Sequence, residues 1–179
     1  MKSLLTFTAA ALLFSSGITT GVASAQSPAA TETATIGGKT ITIKYAAPAV
    51  RGRKIFGDGN LISHDPNYPI WRAGANSATA FHTDADLDVA GLAVPKGDYT
   101  LYINTKDPDH WELIINKQTG QWGLTYQPGQ DLGRVKMNMS KPPATVENLK
   151  YTLSDEGGKK GKLQLAWESH VASVPFTVK

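Results

Sequence analysis

The sequence predicts an all-β fold: a single β-sandwich, jelly-roll-like, of about eight to ten short, mainly antiparallel strands. Three observations carry this. Apolar residues recur with a period of two in run after run, which turns every second side chain to one face of an extended strand. Turn-forming Gly, Pro, Asn and Asp stand between the runs. Nowhere do apolar residues return at helical spacing over three turns, which leaves two packed sheets as the way to close a core.

Near its start the chain carries Lys2, an apolar stretch from Leu4 to Phe14 and the small residues Ala23-Ser24-Ala25, the three parts of a secretory signal peptide. At roughly 11 residues the apolar stretch is too short for a membrane anchor, which needs ~20. Residues 1–25 are therefore set aside as a leader, and the mature protein is expected in the periplasm or secreted, with no membrane insertion after cleavage. Residues 26–33, rich in Ser, Ala, Thr and Pro, read as a flexible leader, and 34–179 as one domain.

The runs follow in order. "TATIGGKTITIKY" alternates on both sides of Gly37-Gly38, a pair suited to the positive φ angles of a tight hairpin; Ile41, Ile43 and Tyr45 share one face, Thr40, Thr42 and Lys44 the other. "FHTDADLDVAG" reads as an amphipathic strand with His82, Asp84, Asp86 and Asp88 on its wet side. Tyr99, Leu101 and Ile103 alternate in the next run, then Trp111, Leu113 and Ile115, and then Val135, Met137 and Met139. Leu149, Tyr151 and Leu153 follow, then Leu163, Leu165 and Trp167, and last Val174, Phe176 and Val178.

Composition excludes several functions. The chain has no cysteine, hence no disulfide, thiolate nucleophile or Cys-ligated metal. Lys2 is the only charged residue of 1–25, so 17 basic face 15 acidic side chains in the rest, a balance that offers no basic face to nucleic acid. The acidic run around Asp84 departs from a calcium loop, with Val89 where glycine belongs and Pro95 where the glutamate ligand belongs. No Gly-x-Ser-x-Gly elbow is present.

One irregular stretch stands out. "FGDGNLISHDPNYPIWR", Phe56 to Arg72, is the longest segment without periodicity, and it leads into Trp71-Arg72-Ala73-Gly74-Ala75-Asn76. A ligand site there would use Trp71 as a flat platform, Arg72 and Arg53 as guanidinium forks and Asn76 as a two-way hydrogen-bonding group. A structural corner would instead put Trp71 in the core, Arg72 on loop carbonyls, Gly74 at a backbone angle other residues avoid, and Asn76 in a turn. Glu168 is expected to pair with Arg53 or Arg72, or to join the site. The non-catalytic binding reading uses Arg53, Trp71, Arg72 and Asn76, with a small polar ligand, glycan or envelope component as partner, no cofactor, and a monomeric chain. The alternatives are a metal-dependent hydrolase built on His64, Asp65 and His82, and a purely structural envelope module.

The segments "YAAPAVRGRKIFG", "IWRAGANSATAF", "VPKGDYTLYI", "WELIINK", "QWGLTYQPGQDLGRVKM" and "LQLAWESHVASVPF" together resemble the exported bacterial family catalogued as domain of unknown function 2911. The resemblance implies a single, export-directed, β-rich domain and implies no reaction. Two departures from the family pattern fall at the corner: "SHDPNYPI" replaces a shorter segment ending in Tyr-Gly-x, and Ser77 stands where a glutamate is expected.

Overall fold

The computed structural model describes residues 26–179; the leader expected over 1–25 lies outside them. Thirteen strands form two antiparallel sheets packed face to face, and no strand closes them into a barrel. The first sheet runs β1 (Ala29–Ile36), β2 (Lys39–Ala46), β4 (Thr79–Thr83), β7 (Gly97–Asn104), β8 (Glu112–Asn116), β9 (Asp131–Lys136), with β3 (Ile70–Trp71) also on β7. The second runs β11 (Val146–Asp155), β12 (Lys160–Glu168), β13 (His170–Val178), β5 (Leu87–Val89), β6 (Leu92–Val94), with β10 (Asn138–Ser140) on β13.

The strand count exceeds the expected eight to ten because β3, β5, β6 and β10 are only two or three residues long, too short to show a period. The run from Phe81 to Gly91 is not one strand. It leaves the first sheet at Thr83, bends over Asp84 to Asp86 and enters the second sheet at Leu87, so His82 and Asp88 sit on different sheets. Residues 29–33, expected to be a flexible leader, are strand: Ala29 pairs with Ala46 and the ladder continues to Ile36 opposite Lys39. Gly37 and Gly38 close this hairpin at φ +58° and +75°, as the glycine pair predicts.

Inward residues of both sheets build one core, and its far end is aromatic. Trp71 and Trp167 stack at 5.5 Å, Phe56 meets Trp111 at 4.6 Å, and the His170 ring lies on Trp111 at 5.2 Å. The free edge of β11 is capped by β1, β2 and the segment that follows β2. The N–H groups of Leu149, Tyr151 and Leu153 donate to Pro48 O, Tyr45 Oη and Glu32 Oε1 at 2.9, 3.2 and 3.1 Å. Three successive edge donors are thereby occupied, which removes the template for strand addition that a bare edge offers.

Candidate functional site

The Trp71 corner is an excursion from a strand. Trp71 lies opposite Ile103 and Thr79 opposite Leu101, so seven residues, 72–78, occupy the space where one would continue the ladder opposite Tyr102. Backbone groups that leave a ladder need other partners. Here side chains supply them. The Ala73 carbonyl accepts from Thr79 Oγ1 at 3.0 Å and from Tyr151 Oη at 2.9 Å, and the Gly74 carbonyl accepts the Trp71 indole N–H at 3.1 Å.

Trp71 is 1% exposed, so its ring is core. The unusual backbone angles fall on Ala73 (φ +53°) and Asn76 (φ +61°), not on Gly74 as expected. Gly74 is required for space instead: a β-carbon there would lie 2.8 Å from Thr79 Oγ1 and 3.3 Å from Ala46 O. Asn76 tolerates the left-handed region better than most residues, and its carbonyl accepts the Gly123 N–H at 3.0 Å.

Arg72 faces the opposite way from Trp71, as strand alternation demands. It pairs with Asp65 at 3.0 Å, a carboxylate that is only 5% exposed, in place of the loop carbonyls expected for it. Its buried Nε has no partner among the described residues. Arg53 is the guanidinium that takes carbonyls: Nε donates to Val50 O at 3.0 Å and Nη2 to Ala49 O at 2.6 Å. Glu168 reaches neither arginine. Its Oε1 accepts the Ile55 N–H at 2.8 Å and Oε2 lies 3.4 Å from His170 Nδ1, which ties the loop after Arg53 to the β12–β13 turn.

Arg53, Arg72, His64 and Asp65 border one open hollow of about 370 Å³, whose floor includes Trp71 and Trp167. Arg53 also borders an adjoining hollow of about 340 Å³ with Asn76, so the four candidate residues surround two neighbouring depressions and not one. A family model described as "Protein of unknown function (DUF2911)" matches residues 27–176. The chain belongs to the DUF2911 family. No curated protein and no solved structure matches it.

The DUF2911 domain does not assemble the hydrolase candidates. His64 Nδ1 lies 2.8 Å from Asn60 O and Asp65 is held by Arg72, whereas His82 projects from β4 into another depression. Among the described residues no group of three His, Asp or Glu side chains is placed to hold a metal ion. Glu168-Ser169-His170 has the residue types of a nucleophile relay but not its order in space. Ser169 Oγ and Glu168 Oε2 both face Nδ1 of His170, at 3.2 and 3.4 Å, so the imidazole does not stand between acid and hydroxyl. Burial, opposed by Glu168, holds the His170 pKa below its ordinary value.

Two contributors escaped sequence reasoning. The sequence groups Asp65 with His64 and His82 around a metal, whereas the structure makes it the counter-ion of Arg72. The segment 121–124 walls the corner: the Gly123 backbone packs against the Arg72 stem where any side chain would collide, and Asn67 Nδ2 donates to Leu124 O at 2.8 Å. The signal was present in Gly123, a glycine inside an otherwise bulky "QWGLTY".

Proposed function

We propose that this DUF2911 domain is an exported, non-catalytic module that captures a small polar ligand bearing a carboxylate, at the hollow between Arg53 and Arg72. The observation that carries the reading is that two arginines, Arg53 and Arg72, border one open depression whose one acid, Asp65, is already engaged. A bound carboxylate would sit between Arg53 and Arg72 with the His64 ring at its rim, and guanidinium forks match carboxylate geometry. Trp71 lies in the floor of that hollow, and Asn76 borders the adjoining one with Arg53.

A second reading, a purely structural envelope module, draws on the same bonds: Arg53 occupies two carbonyls and Arg72 a carboxylate, so both have work inside the fold. Thermal unfolding with succinate, citrate and inorganic phosphate separates the two. Binding to the native state alone raises Tm with ligand concentration. The capture reading expects a dicarboxylate to raise Tm for the wild type and to lose that effect in Arg53→Ala; no shift with any of the three anions would leave the structural module. Export is checked by the mass of the protein recovered from the periplasm or medium, which should begin at Gln26.

A further inference from the structure

The outer face of the first sheet is open over its β1–β2–β4–β7 half. Alternation turns Thr31, Thr33, Thr42, Lys44 and His82 away from the core, and the register lines them up across the strands. Thr33 faces Thr42, Thr42 faces His82 and His82 faces Asp98; two residues along, Thr31 faces Lys44, Lys44 faces Ala80 and Ala80 faces Thr100. At about 4.8 Å per strand spacing each four-residue row spans about 14 Å. The bottom of this trough is a hollow of about 590 Å³, larger than either depression at the corner.

The β8 side of the trough is walled by the loop that follows Asn116. Gln121 Nε2 donates to Thr100 Oγ1 at 3.2 Å and to Tyr102 Oη at 3.1 Å, and Thr100 Oγ1 donates to Gln118 O at 2.7 Å. Thr119 faces the hollow, and three residues on stands Trp122. Its backbone is fixed by a bridge to Ser77 and by the Ala78 N–H on Gln121 O at 3.2 Å. Yet Trp122 is 52% exposed, where each of the other three tryptophans is 1% exposed. A large indole on a fixed backbone but half left in water contributes little to the core.

We propose that this trough binds a neutral oligosaccharide chain, with Trp122 as a stacking platform at its rim. A sugar presents hydroxyls that both donate and accept, and an apolar C–H face. The threonine hydroxyls match the first property, with Lys44 as donor and Asp98 as acceptor, and the flat indole matches the second. The charges argue for a neutral chain. His82 lies between Asp84 (3.0 Å) and Asp98 (2.8 Å), and Lys44 is the other cation on the face, so no field of one sign is available to hold a polyion. Trp122 is bridged to Ser77, three residues from Ala80 and so roughly 10 Å from it along the strand. Engaging both the platform and the threonine rows requires several linked units.

The inference is independent of the arginine hollow. The processed chain, residues 26–179, is titrated with cellotetraose, chitotetraose, maltotetraose and glucose while tryptophan emission is followed. With three tryptophans buried, a change in acrylamide quenching reports on Trp122. At least one tetrasaccharide should shift the emission to the blue and shield the ring, and glucose at the same concentration should not. By calorimetry, Trp122→Ala and Thr42→Val should each weaken that tetrasaccharide about tenfold or more, with unchanged Tm because both positions are on the outer face, and Arg53→Ala should leave it unaltered. No tetrasaccharide binding at millimolar concentration overturns the proposal. So does binding that survives both Trp122→Ala and Thr42→Val, or binding abolished by Arg53→Ala.

Discussion

The Trp71 corner and the trough around His82 lie on the same sheet and use their side chains in opposite ways. At the corner the chain leaves the ladder for seven residues, and the stranded carbonyls of Ala73 and Gly74 draw in Thr79, Tyr151 and the Trp71 indole. In the trough β2 pairs on both sides, with β1 and β4, so the outward side chains are left to bond one another or water: Thr33 Oγ1 meets Thr42 Oγ1 at 3.2 Å, and His82 lies between Asp84 and Asp98. Conspicuous residues at an irregular segment are therefore under prior obligation to the fold, because irregular backbone needs side-chain partners. The outward threonines Thr33 and Thr42 bond each other and no stranded backbone group.

The two tryptophans give the largest contrast. Trp71→Ala removes a buried ring stacked on Trp167 and the donor to Gly74 O, and should cost about 3–5 kcal/mol in denaturant unfolding. Trp122→Ala removes a half-exposed ring and should stay within about 0.5 kcal/mol of wild type. Equal losses from the two would erase the distinction between corner and trough.

An intermediate effect is expected at Asp65. Asp65→Asn leaves the Arg72 guanidinium, one-fifth exposed, without its counter-ion, and should destabilise by about 2 kcal/mol, the range for an orphaned and largely buried partner. Asp98→Asn in the trough, where the carboxylate is 74% exposed, should change stability by less than about 1 kcal/mol. Chemical denaturation of the two variants side by side measures the difference.

Much of the fold was legible because burial writes a period of two into any strand with one wet face. Ile41 and Ile43, Leu163 and Leu165, and Val174 and Phe176 all point inward as their spacing predicts. What periodicity does not encode is a change of sheet. Thr83 and Leu87 are two buried residues of one apparently continuous run, yet the bend at Asp84 to Asp86 sends them to different sheets, and the acidic face read from parity dissolves there. The start of β1 was hidden for another reason: its inward residues Ala30, Glu32 and Ala34 are small or charged, and Glu32 faces inward because it caps the β11 edge 121 residues away. The site was half legible. Opposite facing of Trp71 and Arg72 follows from adjacency alone, but the partners of Arg72 and Glu168 depend on which loops meet, and no spacing rule records that.

The smallest effect, and the one that most sharply separates the two regions, is the pH dependence of two histidines. Hydrogen bonds to Asp84 and then Asp98 raise the His82 pKa above its ordinary value, whereas burial against the aromatic end of the core lowers that of His170. For His82 the native state holds its proton more tightly than the unfolded chain. Its stabilisation is therefore complete below the unfolded value of about 6.5 and is lost as pH rises through the raised native pKa. For His170 the sign reverses: there is no penalty above about 6.5, and a penalty grows as pH falls from there through the lowered native pKa. His82→Gln should thus be most destabilising, relative to wild type, in mildly acidic buffer and lose its effect in alkaline buffer, while His170→Gln should gain on wild type as the medium is acidified. Unfolding free energies measured across the range from pH 5 to 9 check both slopes, and slopes of the same sign would mean that the outer face and the aromatic end do not impose the different environments on which the comparison rests.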